Sequence, residues 1–279
     1  MRRIIVGLCL MALSAVVQIC EVNALPPLTA PKAKPADEQQ KRLDEVLDKW
    51  EVNMQATTGL HVELERVEKD KVFKTEAKFV GSLDTLTVEN ESKVEHLWRL
   101  ETAKAGTTEL HEKLVCDGRV VYQFAPIDQK IYTWAIPKAK PAEVKKDNSL
   151  FGFFHIDLTQ IFQDNICSLV LFAKTAELRK RYDLKFSDDK NHPSGEDMHY
   201  IYVKIEPRGV SDGADFEHAE VVLNKDNFLP CRLWFQCPNK TEITWSVTSL
   251  DDKAKLKRED FGEPSVPTGW KLVPVDTSK

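Results

Sequence analysis

The sequence predicts an α+β fold: one curved antiparallel sheet, an unclosed half-barrel of about 9–11 strands, with helices covering its concave face. Three observations lead there. A single amphipathic helix opens the folded part of the chain. Runs of alternating residues then follow one another with short turns and no intervening helices, which is meander spacing. One Phe-rich stretch in the middle breaks that alternation.

The first residues set the compartment. Arg2 and Arg3 form a positive start, Ile4 to Ile19 is almost wholly apolar, and Val22-Asn23-Ala24 offers a short-residue cleavage site. Residues 1–24 therefore read as a signal peptide, cleaved near Ala24. The protein is expected to be exported, to the periplasm or cell envelope, with no transmembrane span in the mature chain. Lipidation at Cys20 is the alternative, although Val17-Gln18-Ile19 lacks the usual small residues. Cleavage takes the net charge of −5 to about −6 by removing Arg2, Arg3 and Glu21. The remaining Lys and Arg are interspersed with Asp and Glu, which argues against nucleic acid as a partner.

Residues 25–36, "LPPLTAPKAKPA", read as a Pro-rich extended tether, and 37–279 as a single domain. From Asp37, Leu43, Val46, Leu47, Trp50 and Met54 fall on one helical stripe, and Gly59 suits a left-handed C-terminal cap. Strands follow. Leu60, Val62 and Leu64 alternate with His61, Glu63 and Glu65. Asp117-Gly118 begins a hairpin whose first strand puts Val120, Tyr122 and Phe124 on one side. Its return strand carries Ile131, Tyr132 and Trp134. The Phe-rich insert, "SLFGFFHIDLTQIFQDN", has too many apolar residues for one stripe and should be buried on several sides. "AELRKRY" reads as a short helix. In the second half, Ile201, Val203 and Ile205 oppose Tyr200, Tyr202 and Lys204, and Ile243, Trp245 and Val247 share a face. The Pro- and Gly-containing tail "EDFGEPSVPTGWKLV" is expected to lack regular structure.

The mature chain keeps Cys116, Cys167, Cys231 and Cys237, for which three pairings exist. In a continuous strand Cys231 and Cys237 would lie roughly 20 Å apart, too far to bridge. Either both pair elsewhere or they are buried thiols. No Cys/His spacing suggests zinc, and no metal or cofactor is expected. Catalytic motifs are absent: no nucleophile elbow, metalloprotease helix, phosphate loop or dinucleotide fingerprint. His155 and Asp157 point apart on a helix, and Asp212 and Asp215 lack the later Glu of a calcium loop. The chain is not expected to be an enzyme.

"DGRVVYQFAPIDQKIY" resembles the mid-sheet segment of the periplasmic lipoprotein-carrier superfamily (LolA/LolB-like). Asp117 and Gly118 match its turn, Tyr122 and Phe124 its aromatic positions, and Pro126 its second turn. "SLFGFFHIDLTQIF" stands where that family has a helical insert. "VVLNKDNFLPCRLWFQ", "TEITWSVTSL" and "EDFGEPSVPTGW" follow its closing order, with Asp226, Phe261, Pro267 and Gly269 in corresponding places. The likeness is nearest to an uncharacterised planctomycete group. It implies a half-barrel that holds acyl chains, and a partner that is lipid or a lipidated protein, possibly another envelope protein. The carriers' Arg-Pro pair is missing from "VENESKVEHLWRLET", where Arg99 is the arginine present, so their lid lock is not carried over. Candidate ligand-binding residues are Trp50, Tyr122, Phe124, Trp134, Phe151, Phe153, Phe154, Ile161, Phe235 and Trp245. The alternative is an envelope sensor or protein-interaction module on the same scaffold, without lipid transfer.

Overall fold

Alternating sequence becomes one large sheet. The computed structural model describes residues 36–90, 93–136, 175–188, 195–209 and 216–275. Residues 1–35, read from the sequence as a signal peptide and most of a tether, lie outside them, as do the Phe-rich insert, Cys167, Asp212 and Asp215. The strands are β1 (Gly59–Asp70), β2 (Thr75–Asn90), β3 (Lys93–Lys104), β4 (Leu110–Cys116), β5 (Val120–Ala125) and β6 (Lys130–Ala135). After these come β7 (Tyr182–Phe186), β8 (Tyr200–Pro207), β9 (His218–Asn224), β10 (Pro230–Gln236), β11 (Thr241–Asp251) and β12 (Lys271–Val275). They form one 12-stranded sheet in the order β12-β6-β5-β4-β3-β2-β1-β11-β10-β9-β8-β7, unclosed and mostly antiparallel.

Two expectations need correction. Among the described residues the sheet has twelve strands rather than 9–11, and it is not wholly antiparallel, because β12 pairs parallel with β6. The tail expected to be irregular supplies that strand. Pro274 is tolerated there because an edge strand uses only one of its hydrogen-bonding sides.

The helix α1 (Ala36–Ala56) buries the predicted stripe of Leu43, Val46, Leu47 and Trp50 against the sheet, with Met54 packed at its margin. Each such side chain contributes about 2 kcal/mol on burial. Gly59 is not the left-handed cap predicted for this helix. It begins β1, and a Cβ there would lie 2.5 Å from the Ala254 carbonyl oxygen. Its role is to let the C-terminal segment approach. The helix is tied to the β7–β10 side. Arg42 Nε bonds Glu196 at 2.5 Å, Asn53 Nδ2 donates to the Asn227 carbonyl at 2.6 Å, and Arg179 pairs with Asp44. Arg179 belongs to α2 (Thr175–Arg181), whose Thr175 hydroxyl donates to Glu51 at 2.6 Å.

The turns follow their chemistry. Asp117 Oδ1 accepts the backbone N–H groups of Arg119 and Val120 at 2.7 and 2.8 Å, and Gly118 takes φ 86°. Asn224 Oδ1 accepts the Asp226 N–H at 2.8 Å in the β9–β10 turn. Cys116 and Cys231 are free thiols. A bulge between Pro230 and Arg232 displaces Cys231 from regular alternation, and its Sγ lies 3.4 Å from the Val222 carbonyl.

The face of the sheet that carries α1 is called inner here. The outer face of β1 to β6 is crossed by residues 252–275. Lys253 bridges to Gly59, Arg258 pairs with Glu95, and the Asp260 carbonyl accepts from Arg99 Nη1 at 3.4 Å. Phe261 is fully buried at the end of a single 3-10 turn (Arg258–Phe261). Beyond it Trp270 packs at 6.0 Å from Phe124, and β12 closes the strap. Beneath this strap the buried Asp84 accepts from Arg99 at 2.6 and 3.2 Å and contacts His61 Nδ1 at 2.6 Å. Arg99 therefore anchors the outer strap rather than any cover of the inner face.

Candidate functional site

The inner face is built by strand parity. Leu60, Val62 and Leu64 on β1, Leu83 on β2, and Trp98 and Leu100 on β3 point inward, as do Leu114 and Cys116 on β4 and Val121 on β5. On the far side Ile201, Val203 and Ile205 join Val221, Leu223, Leu233, Phe235, Ile243 and Trp245. All belong to one continuous apolar cluster with the stripe of α1. Burial pushes the Cys116 thiol up to about 12, so it stays protonated at neutral pH.

One end of this apolar lining is polar. The alternation of β1 continues inward from Leu64 to Arg66, which is only 6 % exposed. Its guanidinium carbon lies 5.0 Å from the Trp245 ring centroid, Nη2 meets Glu68 at 2.5 Å, and Nη1 meets Glu112 at 3.5 Å. Reaching from β1 to β4 requires that little stand between. Gly81, opposite Leu64 on one side and Thr102 on the other, provides that room. A bulge between Thr102 and Ala103 skips His111, and the His111 ring stacks on Phe79 at 3.8 Å, with Nε2 3.9 Å from Glu68. Burial, then Arg66, holds His111 below its ordinary pKa, against the opposing pull of Glu68. Within this wall Arg66 Nε, Thr102 Oγ1 and Trp245 Nε1 are buried and make no hydrogen bond among the described residues. Trp134 Nε1 is the same at the β6 side.

His96 occupies another inward position, with Nδ1 3.1 Å from the Thr87 hydroxyl. Desolvation lowers its pKa from 6.5 to about 4. A neutral histidine is thus preferred by the fold. Its contribution is present above pH 6.5 and is lost as pH falls from 6.5 towards 4. Between pH 7 and 4.5 the loss should be roughly 2–3 kcal/mol. Denaturant midpoints of the wild type and His96→Gln at both pH values check this. An equal acid loss in both proteins would rule out His96 as the cause.

The candidate residues separate into three groups. Trp50, Phe235 and Trp245 lie in the inner cluster, and Trp134 packs against it. Tyr122 and Phe124 do not. They sit with Val115, Ile131 and Trp270 on the outer face, under the strap, apart from the inner cluster. The predicted grouping of Val120, Tyr122 and Phe124 on one side is right, but that side is the outer one and Val121 points inward. Phe151, Phe153, Phe154 and Ile161 lie outside the described residues. The polar end around Arg66 was not singled out from the sequence. Its signal is a charged residue at an inward position, after Leu60, Val62 and Leu64.

Among the described residues no cluster of His, Cys, Asp and Glu could hold a metal ion, and no helix is long and apolar enough to cross a membrane. No family model and no curated protein matches the chain. Solved structures do. An uncharacterized conserved protein from Thermus thermophilus is 12% identical, with 84% of this chain and 99% of that one covered, at a TM-score of 0.47. A putative outer membrane lipoprotein-sorting protein domain from Vibrio parahaemolyticus is 10% identical over 78% of this chain and 94% of that one, at 0.39. A LolA superfamily protein from Nitrosomonas europaea is 9% identical over 79% and 97%, at 0.35.

Proposed function

We propose that the chain is a non-catalytic exported protein of the periplasm or cell envelope. It holds a hydrophobic ligand, a lipid or the acyl chains of a lipoprotein, against the inner face of its sheet. The observation that carries this reading is the lining. A continuous apolar surface runs from Trp134 on β6 to Leu184 on β7, whereas α1 and α2 are tied to the β7–β10 side. Among the described residues, no helix is anchored by these bonds over the β3–β6 half. Burying an alkyl chain there yields about 0.8 kcal/mol per methylene, so a chain of about twelve carbons binds on the order of 8 kcal/mol before ordering costs. No polar chemistry is needed for that. Trp50, Trp134, Phe235 and Trp245 would face such a ligand, and the insert bearing Phe151, Phe153, Phe154 and Ile161 would complete its cover. The sequence resemblance to the lipoprotein carriers supports the same reading.

The test is to purify the mature protein from its own envelope fraction and extract it with organic solvent. Stoichiometric lipid in the extract is expected. Protein that carries no lipid, and takes up no apolar fluorophore such as phenylnaphthylamine, refutes the binder. The second reading is an interaction module on this scaffold. It is favoured by the β1–β2 tip, where Val72 and Phe73 are 61 % and 76 % exposed. Asp70 Oδ1 fixes that tip by accepting both their N–H groups at 2.8 Å. Stable capture of a protein partner, lost on Phe73→Ser, would support that module in place of the carrier.

A further inference from the structure

The polar end of the inner face has a composition that an all-purpose apolar core does not explain. Three buried polar groups, Arg66 Nε, Thr102 Oγ1 and Trp245 Nε1, find no hydrogen-bond partner among the described residues, at residue exposures of 6 %, 1 % and 4 %. A buried polar group without a hydrogen bond is unfavourable, and native structures keep few of them. They stand on β11, β1 and β3, with the Arg66 side chain extending between the other two. Arg66 is the cross-strand partner of Trp245, and Thr102 stands opposite Gly81, over which the Arg66 side chain reaches towards Glu112.

Their chemistry specifies the missing group. An indole N–H and a guanidinium Nε–H only donate, and a hydroxyl can donate, so the complement is an oxygen acceptor. That acceptor should be uncharged. Glu68 and Glu112 already balance Arg66, and a further anion would meet both carboxylates. A cation finds no free acceptor among these donors. The acceptor must also belong to a molecule whose remainder is apolar, because the polar end opens directly onto Leu64, Leu233 and Ile243.

We propose that this end of the inner face is a carbonyl-binding subsite, which takes the ester or amide carbonyl of an acyl chain lying along the apolar lining. This rests on the lipid-binding reading above and makes it more specific. Acylated molecules are preferred over hydrocarbons and ethers of the same length, and neutral esters over free fatty acids.

The experiment compares monomyristoylglycerol with the tetradecyl glycerol ether, which differs from it in the carbonyl, by displacement of phenylnaphthylamine from the full mature chain. The ester should bind about tenfold more tightly than the ether, the difference expected of one or two hydrogen bonds. Trp245→Phe removes an N–H and keeps an aromatic ring, while Thr102→Val removes a hydroxyl at nearly constant shape. Each should bring the ester to within about twofold of the ether and hold or raise the thermal midpoint, since an unpaired polar group has gone, and Thr102→Val should also leave ether binding unchanged. A purely structural role for these groups predicts instead a lower midpoint with ester and ether weakened alike. Equal affinities in the wild type, or equal weakening in the variants, overturn the carbonyl subsite and leave the lipid reading standing. Binding of neither compound removes both.

Discussion

Phe261→Ala is expected to destabilise the protein by about 3–5 kcal/mol, the range for emptying a fully buried aromatic site. Phe261 is 0 % exposed although it lies in a tail with little regular structure. It is the apolar pin of the strap, set between the Arg258–Glu95 pair and the Arg99 to Asp260 carbonyl bond. On the sheet beneath, Leu97 is 1 % exposed on the outer side of β3, and Glu95 is 5 % exposed. Losing the pin therefore uncovers apolar surface and loosens the cover over a buried carboxylate. Arg258→Ala should act on the same unit, so its effect and that of Phe261→Ala should not add. Urea midpoints give the size of the effect, and limited proteolysis within residues 252–275 gives its place. A Phe261→Ala protein that keeps both its midpoint and its protease resistance would show that the strap does not hold the outer face.

The strap also explains what was legible in the sequence. Where one face of a strand is apolar and the other polar, period-two patterning identifies the inward residues. It did so for Leu60, Val62 and Leu64, for Ile201, Val203 and Ile205, and for Ile243, Trp245 and Val247. On β5 the rule fails, because the strap buries the outer face too. Val121 points inward and Tyr122 outward, both are buried, and nothing in a strand apolar on both sides tells which is which. Period two groups Tyr122 with Phe124 but does not tell which face of the sheet they take. The strap itself gave no local sign. Lys271–Val275 contains Pro274 and becomes a strand only by pairing with β6, more than a hundred residues away in sequence. At the polar end, Arg66 was visible as a charge at an inward position. Its setting depended on a bulge at Thr102/Ala103, which the residues there do not announce.

Gly81→Ala should have an effect comparable to that of Phe261→Ala, for a different reason. A Cβ at residue 81 would lie 2.0 Å from the Glu101 carbonyl oxygen and 2.8 Å from the Thr102 Cα. Both are backbone atoms of the adjoining strand, which cannot swing aside as a side-chain end can. The β2–β3 ladder must open locally, or β2 must shift and carry Leu83 and Phe79 with it. The expected loss is about 3 kcal/mol or more, at the severe end for one added methyl. Gly106→Ala is the control. There φ is +77° and nothing stands within 4 Å, so only backbone strain applies and about 1 kcal/mol is expected. The ordering Gly81 well above Gly106 separates close approach from backbone freedom, and urea midpoints of the two variants measure it. Gly81 also clears the path by which Arg66 reaches Glu112, so a Gly81→Ala protein that still folds should lose its preference for ester over ether while keeping apolar affinity. A variant within about 0.5 kcal/mol of the wild type, the range of ordinary surface changes, would mean that the strands do not approach so closely. The built end of the inner face would then lose its geometric basis.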